Sequence, residues 1–164
     1  MNEKKNLTIK ETFALAVQNH QKNNLRVAEN LYKEILKINP NHASAHNNLG
    51  IVFKALEEHQ KAKSCFQKAI EINPNYVNAH YNLGNTLKEL GEHKKAISCY
   101  EKAIQIQPNY AEAHNNLGTL FQALGEYRKA KSCYEKAIQI QPNYAEAHNN
   151  LGVALNELGE HQKA

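Results

Sequence analysis

The chain repeats itself every 34 residues, and this period limits its fold more than any other feature. The 21 residues 98–118 recur without change as residues 132–152. Every proline and every glycine follows the same period: Pro40, Pro74, Pro108 and Pro142, then Gly50, Gly84, Gly118 and Gly152, and Gly91, Gly125 and Gly159. A period of roughly 20–50 residues is typical of arrays in which each repeat packs on its neighbours.

Each repeat is predicted to form two α-helices. In residues 77–110, leucines at spacings of four and three define one apolar helix face. These are Leu83, Leu87 and Leu90. Gly91 permits the left-handed backbone that ends a helix, and a second helix follows over residues 96–104. Gly84 is small enough for the second helix to approach the first closely, and Pro108 stops further helix.

The repeats are predicted at residues 9–42, 43–76, 77–110, 111–144 and, in part, 145–164, after a polar segment at 1–8. The first repeat is degenerate, because Ala16 replaces one glycine and Asn23 replaces the turn glycine. Ala164 falls early in a second helix, so we expect the chain to be a fragment of a longer protein. The last first-helix would then expose Leu151, Ala154, Leu155 and Leu158 to water.

The order Leu-Gly, Ala, aromatic, Ala, Pro resembles the tetratricopeptide repeat (TPR). In residues 77–110 these markers are Leu83, Gly84, Ala96, Tyr100, Ala103 and Pro108. The resemblance covers residues 9–164 and implies an all-α fold, a right-handed superhelical α-solenoid of antiparallel helix pairs. It also implies that the first helix of each pair builds a concave wall, which binds a protein or an extended peptide.

Asparagine fills position 6 of four successive repeats, counted from the first residue of each: Asn48, Asn82, Asn116 and Asn150. Position 5 holds Asn47, Tyr81, Asn115 and Asn149, and Asn85 and Lys88 hold positions 9 and 12 of their repeat. Asparagine destabilises a helix relative to alanine, so its recurrence at one position of four repeats needs an explanation. One amide donates to a backbone carbonyl and accepts from a backbone N–H at once.

The resemblance places these residues on the concave wall, and the asparagines resemble the ladder in the TPR region of O-linked N-acetylglucosamine transferases. We therefore predict that they bind an extended peptide. The alternative is that asparagine is a packing residue, or that recent duplication copied it without selecting each copy. Position 2 becomes acidic toward the C-terminus, through Ser44, Asn78, Glu112 and Glu146. The cations with which some TPR domains clamp a peptide carboxylate are missing, so an acidic C-terminus is a disfavoured ligand.

Position 5 of the first repeat holds Phe13, followed by Ala14. They leave an apolar patch that is either a side-chain pocket or is covered by residues 1–8.

The nine histidines raise the question of a metal site, but His46, His80, His114 and His148 recur with the repeat, as do His59, His93 and His161. Copies on successive helices are about 8–10 Å apart and cannot share one zinc ion. We predict no metal and no cofactor. Cys65, Cys99 and Cys133 are expected to be half-buried packing residues.

No phosphate loop, nucleophile elbow or metal motif is present, so we expect no enzyme activity within these residues. The net charge is +4, but glutamates interrupt the basic residues, which argues against nucleic acid. The sequence has no apolar run long enough for a membrane helix and no signal-peptide core, which favours the cytoplasm.

Three functions remain open at this stage. The first is a free-standing scaffold or adaptor. The second is the substrate-recruiting arm of a larger enzyme, such as a glycosyltransferase, with the catalytic domain after Ala164. The third is self-assembly through an uncapped C-terminal repeat.

Overall fold

A computed structural model describes residues 8–159. Within this range the chain forms nine α-helices: α1 Ile9–Gln21, α2 Leu25–Ile38, α3 Ala43–Ala55, α4 His59–Ile72, α5 Val77–Glu89, α6 His93–Ile106, α7 Ala111–Ala123, α8 Tyr127–Ile140 and α9 Ala145–Glu157. The predicted all-α fold built from helix pairs is confirmed. The predicted segment 1–8, apart from Thr8, and the last residues around His161 and Ala164 lie outside the described range. The division into five repeats stays a prediction.

The start of α1 has a capping box. The Thr8 hydroxyl accepts a hydrogen bond from the Glu11 amide at 3.2 Å, and the Thr8 amide donates to the Glu11 carboxylate at 2.8 Å. These two bonds satisfy amide groups that a helix start leaves without partners.

The turns inside the helix pairs use left-handed backbone. Gly91, Gly125 and Gly159 have φ values of 73°, 76° and 71°, as the sequence predicts. Asn23 and Glu57 occupy the equivalent position in the first two repeats, and each has a φ of 60°. Glycine adopts this conformation without steric cost, and asparagine tolerates it. Glu57 therefore carries local backbone strain that the glycine pattern alone does not indicate.

Glycine allows the two helices of a pair to approach closely. A Cβ atom added to Gly50 would lie 2.6 Å from Cε1 of Phe66, and one added to Gly118 would lie 2.7 Å from Cε1 of Tyr134. Both rings are fully buried. The prediction that this glycine position serves close helix packing is confirmed at these two pairs.

The chain divides into two compact units, an N-terminal unit, Met1–Thr86, and a C-terminal unit, Leu87–Ala164. In the N-terminal unit, α1 packs on α2, α2 on α3 and α3 on α4, and the first helices α1 and α3 also contact each other. In the C-terminal unit, α6 packs on α7, α7 on α8 and α8 on α9, while α7 and α9 lie side by side. Each unit thus presents neighbouring first helices on one side.

The expectation that four apolar residues of α9 and its C-cap would face water was wrong for two of them. Ala154 is fully buried and Leu155 is only 2% exposed. Leu151 and Leu158 are half-buried. The reason is that α9 packs on both α8 and α7, so this part of its apolar face is already covered.

Candidate peptide-binding surface

All ten predicted site residues lie on first helices. They are Asn47 and Asn48 on α3, Tyr81, Asn82, Asn85 and Lys88 on α5, Asn115 and Asn116 on α7, and Asn149 and Asn150 on α9. The position 6 asparagines are half-buried, as are Tyr81, Asn85 and Lys88. Such side chains are partly packed and still reachable from solvent.

The position 5 asparagines have different environments. Asn47 is only 3% exposed and Asn115 is fully buried, whereas Asn149 is exposed. A buried amide is stable only when it is hydrogen-bonded. The partners of Asn47 and Asn115 therefore decide what these residues do.

In the N-terminal unit, three asparagines and a tyrosine form a hydrogen-bonded chain. Asn82 Nδ2 donates to Asn47 Oδ1 at 3.2 Å, across the step from one repeat to the next. Asn47 Nδ2 donates to Asn48 Oδ1 at 3.2 Å, and Asn48 Nδ2 donates to the hydroxyl of Tyr32 at 3.3 Å. Burial of Tyr32 raises the pKa of its phenol, so the hydroxyl is protonated at neutral pH.

In the C-terminal unit, the corresponding network links α7 to α9. Asn150 Nδ2 donates to Asn115 Oδ1 at 3.0 Å. Asn115 Nδ2 in turn donates to Glu146 Oε1 at 3.0 Å. The buried Asn115 thus holds two side chains of the following repeat, one amide and one carboxylate.

The asparagines at positions 5 and 6 have different roles in these networks. Asn47 and Asn115 are interior connectors between successive repeats. Asn82 and Asn150 each use one N–H on that connector, which fixes the orientation of the amide. The second N–H and the carbonyl oxygen of each amide make no further hydrogen bond in the described part of the chain. A half-buried amide with a fixed plane and open donor and acceptor sites is suited to a peptide backbone.

Of the two residues of the predicted apolar patch, Phe13 packs against rings of the chain, whereas Ala14 is exposed. The Phe13 ring stacks on the His42 ring with centroids 5.2 Å apart, and it meets the Tyr32 ring edge-on at 5.8 Å. His42 also accepts a hydrogen bond from the Ala45 amide at the start of α3. Phe13 is therefore half-buried against Tyr32 of α2 and against His42, the residue before α3.

The histidines at position 4 share a structural role. Their Nε2 atoms lie 2.8–3.0 Å from the carbonyl oxygen of the proline six residues earlier. The four pairs are His46–Pro40, His80–Pro74, His114–Pro108 and His148–Pro142. Because a carbonyl only accepts, Nε2 carries the hydrogen. Each histidine thereby ties the turn to the helix that follows. Among residues 8–159, no three His, Cys, Asp or Glu side chains are grouped as metal ligands.

The three cysteines are half-buried thiols. Burial raises the pKa of Cys65, Cys99 and Cys133 to about 11. The thiolate is the reactive form, so these residues are poor nucleophiles at neutral pH.

None of the described helices is long and apolar enough to cross a membrane.

Comparison with known proteins agrees with this architecture. The family model of the tetratricopeptide repeat matches residues 42–109, 75–143 and 109–164. The chain belongs to the tetratricopeptide repeat family, whose members serve as protein–protein interaction scaffolds. No curated protein sequence matches it.

Several solved structures have the same fold. A MamA protein is 26% identical, with a TM-score of 0.86 over 94% of this chain and 85% of that one. YrrB, described as a TPR protein with an unusual peptide-binding site, is 24% identical, with a TM-score of 0.80 over 95% and 80%. PilF of Pseudomonas aeruginosa is 23% identical, with a TM-score of 0.85 over 93% and 69%. The predicted fold class, a solenoid of TPR helix pairs, is thereby confirmed.

Proposed function

We propose that this scaffold binds an extended peptide segment of its partner, and that the position 6 asparagines read the peptide backbone. The observation that carries the proposal is the fixed orientation of Asn82 and Asn150. Each is held by a buried asparagine of the preceding repeat, at 3.2 Å and 3.0 Å. The remaining amide groups then act as one donor and one acceptor for the ligand.

Pre-orientation is what makes such a contact favourable. A free asparagine side chain loses rotamer freedom when it binds, which reduces the net gain. Asn82 and Asn150 are already fixed by folding, so binding a peptide costs them little. YrrB, which shares the fold, provides a precedent for a peptide-binding site in a TPR protein.

A peptide array of extended sequences tests the proposal, probed with residues 1–164 and with the variant Asn82→Ala/Asn150→Ala. Each removed amide takes away about two hydrogen bonds of about 1 kcal/mol each. Affinity for the best peptides should therefore fall at least about tenfold.

Exposed asparagines in the turns provide a matched control, Asn75→Ala/Asn143→Ala. This control should bind like the parent chain. Circular dichroism melting must show all proteins folded at the assay temperature. Equal binding by the ladder variant and the parent would contradict the proposal.

A further inference from the structure

In the helices α7, α8 and α9, the basic residues are confined to the second helix. The first helices α7 and α9 contain no lysine or arginine, and their charged residues are Glu112, Glu146 and Glu157. The second helix α8 is mostly basic, with Arg128, Lys129, Lys131 and Lys136 against Glu135. The side of α7 and α9 is therefore negative in a protein whose net charge is positive.

The two acidic residues at position 2 have no cation of their own. Lys129 pairs with Glu126 at 2.5 Å, and Lys95 pairs with Glu92 at 2.6 Å, both at the starts of second helices. Within the described residues, neither Glu112 nor Glu146 forms an ion pair. Both residues are exposed.

Glu146 is also held in place, which an ordinary solvated carboxylate is not. The fully buried Asn115 donates a hydrogen bond from Nδ2 to Glu146 Oε1 at 3.0 Å, and its Oδ1 accepts one from Asn150 Nδ2 at 3.0 Å. Glu146 and Asn150 are four residues apart and share one face of α9. One buried side chain thus fixes a carboxylate and a backbone-reading amide next to each other.

The N-terminal unit has the same connector without the acid. Asn47 accepts from Asn82, as Asn115 accepts from Asn150. However, position 2 of the repeat that contains Asn82 is the uncharged Asn78, and Asn47 Nδ2 donates its hydrogen bond to Asn48 instead. The acidic feature is therefore an addition to the shared network, and it belongs to the C-terminal unit.

We infer that the α7/α9 face, defined by Glu112, Glu146, Asn149 and Asn150, binds an extended peptide segment that carries arginine or lysine side chains. The inference rests on the proposed function, because Asn150 binds the peptide backbone while Glu146 binds a neighbouring basic side chain. Glu112 on the adjacent helix accepts a second basic side chain.

The helix spacing suggests how far apart those basic side chains lie. Helices in contact have axes about 8–10 Å apart. In a polyproline II strand, residues three apart lie on the same side at about 9 Å. A peptide with basic residues at i and i+3 therefore matches Glu112 and Glu146.

The experiment is a fluorescence anisotropy titration of residues 1–164 with two labelled peptide pools. One pool has arginine at i and i+3 in an otherwise random background of Gly, Ser, Ala and Pro. The other has uncharged citrulline at the same two places. The proteins are the parent, Glu146→Gln, Asn150→Ala and the control Glu135→Gln, which removes the same charge from the exposed side of α8.

The inference predicts that the arginine pool binds at least about fivefold tighter than the citrulline pool at low salt. Glu146→Gln should lose this preference, since glutamine keeps the acceptor for Asn115 but not the charge, and Glu135→Gln should keep it. If both pools bind equally to the parent and both weaken with Asn150→Ala, the inference is overturned while the proposed function stands. Equal loss in Glu135→Gln would mean non-specific attraction and would also overturn it. No binding by either pool would overturn both.

Discussion

The amide nitrogen of Asn150 lies 3.0 Å from the amide oxygen of Asn115, one repeat earlier in the chain. Asn82 and Asn47 repeat this relationship at 3.2 Å in the N-terminal unit. In both pairs the acceptor is buried and the donor is half-buried. A polar connector therefore joins successive first helices and orients the asparagine that we propose to contact the peptide.

Replacement of the connector should destabilise the fold. Asn115→Ala removes the acceptor of Asn150 and the donor to Glu146 from a fully buried position. We expect the free energy of unfolding to fall by about 1–3 kcal/mol, measured by urea denaturation. Asn149→Ala, at the exposed neighbouring position, should change it by less than about 0.5 kcal/mol. Equal effects of the two substitutions would show that Asn115 is not a connector.

Relief of the turn strain at Glu57 should stabilise the chain. Glu57 is exposed and has a φ of 60°, a conformation that costs an L-residue about 1–2 kcal/mol. Glu57→Gly should raise the free energy of unfolding by about 0.5–1 kcal/mol, because part of the gain is lost to the greater freedom of glycine in the unfolded chain.

The reverse change tests the same strain in the C-terminal unit. Gly125 has a φ of 76°, and a Cβ atom there would meet nothing within 4 Å. Gly125→Ala should therefore destabilise by about 1 kcal/mol through the backbone alone. A neutral Gly125→Ala together with a neutral Glu57→Gly would contradict this interpretation of the turns.

Replacement of the glycine between the two helices of a pair should destabilise the fold through steric overlap. Gly118→Ala places a Cβ atom 2.7 Å from Cε1 of the buried Tyr134. We expect a loss of about 1–3 kcal/mol, even though alanine favours helix by about 1 kcal/mol. Tyr134→Leu removes the ring atoms involved, so the double variant should lose less than the sum of the single losses. Strict additivity in thermal or urea unfolding would exclude the clash.

Stability should fall as the pH drops below the ordinary histidine range. Burial lowers the pKa of His20 and His114 in the folded chain from the value of 6.5. The unfolded chain then binds more protons, so the stability that these groups provide is present above about pH 6.5 and is lost as the pH falls through their folded pKa. The urea midpoint should decrease from pH 7.5 toward pH 5, and less steeply in the double variant His20→Gln/His114→Gln. A parent midpoint that is flat over this range would contradict the prediction.

The three cysteines should react slowly while the protein is folded. Their thiol pKa of about 11, raised by burial from 9.0, leaves about a hundredfold less thiolate at pH 8 than an exposed thiol has. Reaction with Ellman's reagent should be at least about tenfold slower than that of free glutathione, and it should become rapid in guanidinium chloride. Reaction of the folded chain at the rate of glutathione would show that the thiols are accessible and normal.

The repeat made most of the fold predictable. The period predicts the helix pairs, the glycine turns at Gly91 and Gly125, and the close contact at Gly118. Each of these features follows from local backbone conformation and side-chain size. The recurrence of the position 4 histidines indicates a structural role, although their contact with the proline carbonyl could not be predicted from the spacing.

The roles of individual asparagines could not be predicted from the sequence. Asn115 and Asn149 lie in identical stretches of sequence, yet one is fully buried and the other exposed. The difference is tertiary, because α9 packs against α7 and supplies partners for Asn115, while no helix of the described residues follows α9. The strain at Glu57 could not be predicted from the glycine pattern, because this repeat has no glycine at the turn.

The most direct test of the central claim is to observe the asparagine side chains while a peptide binds. We would titrate ¹⁵N-labelled protein with the tightest peptide from the array and follow the side-chain amide signals by NMR. We predict that the side-chain amide signals of Asn82 and Asn150 shift with a common binding curve, while those of Asn75 and Asn143 do not. Peptide binding that leaves Asn82 and Asn150 unchanged, or that shifts only signals of the second helices, would contradict it.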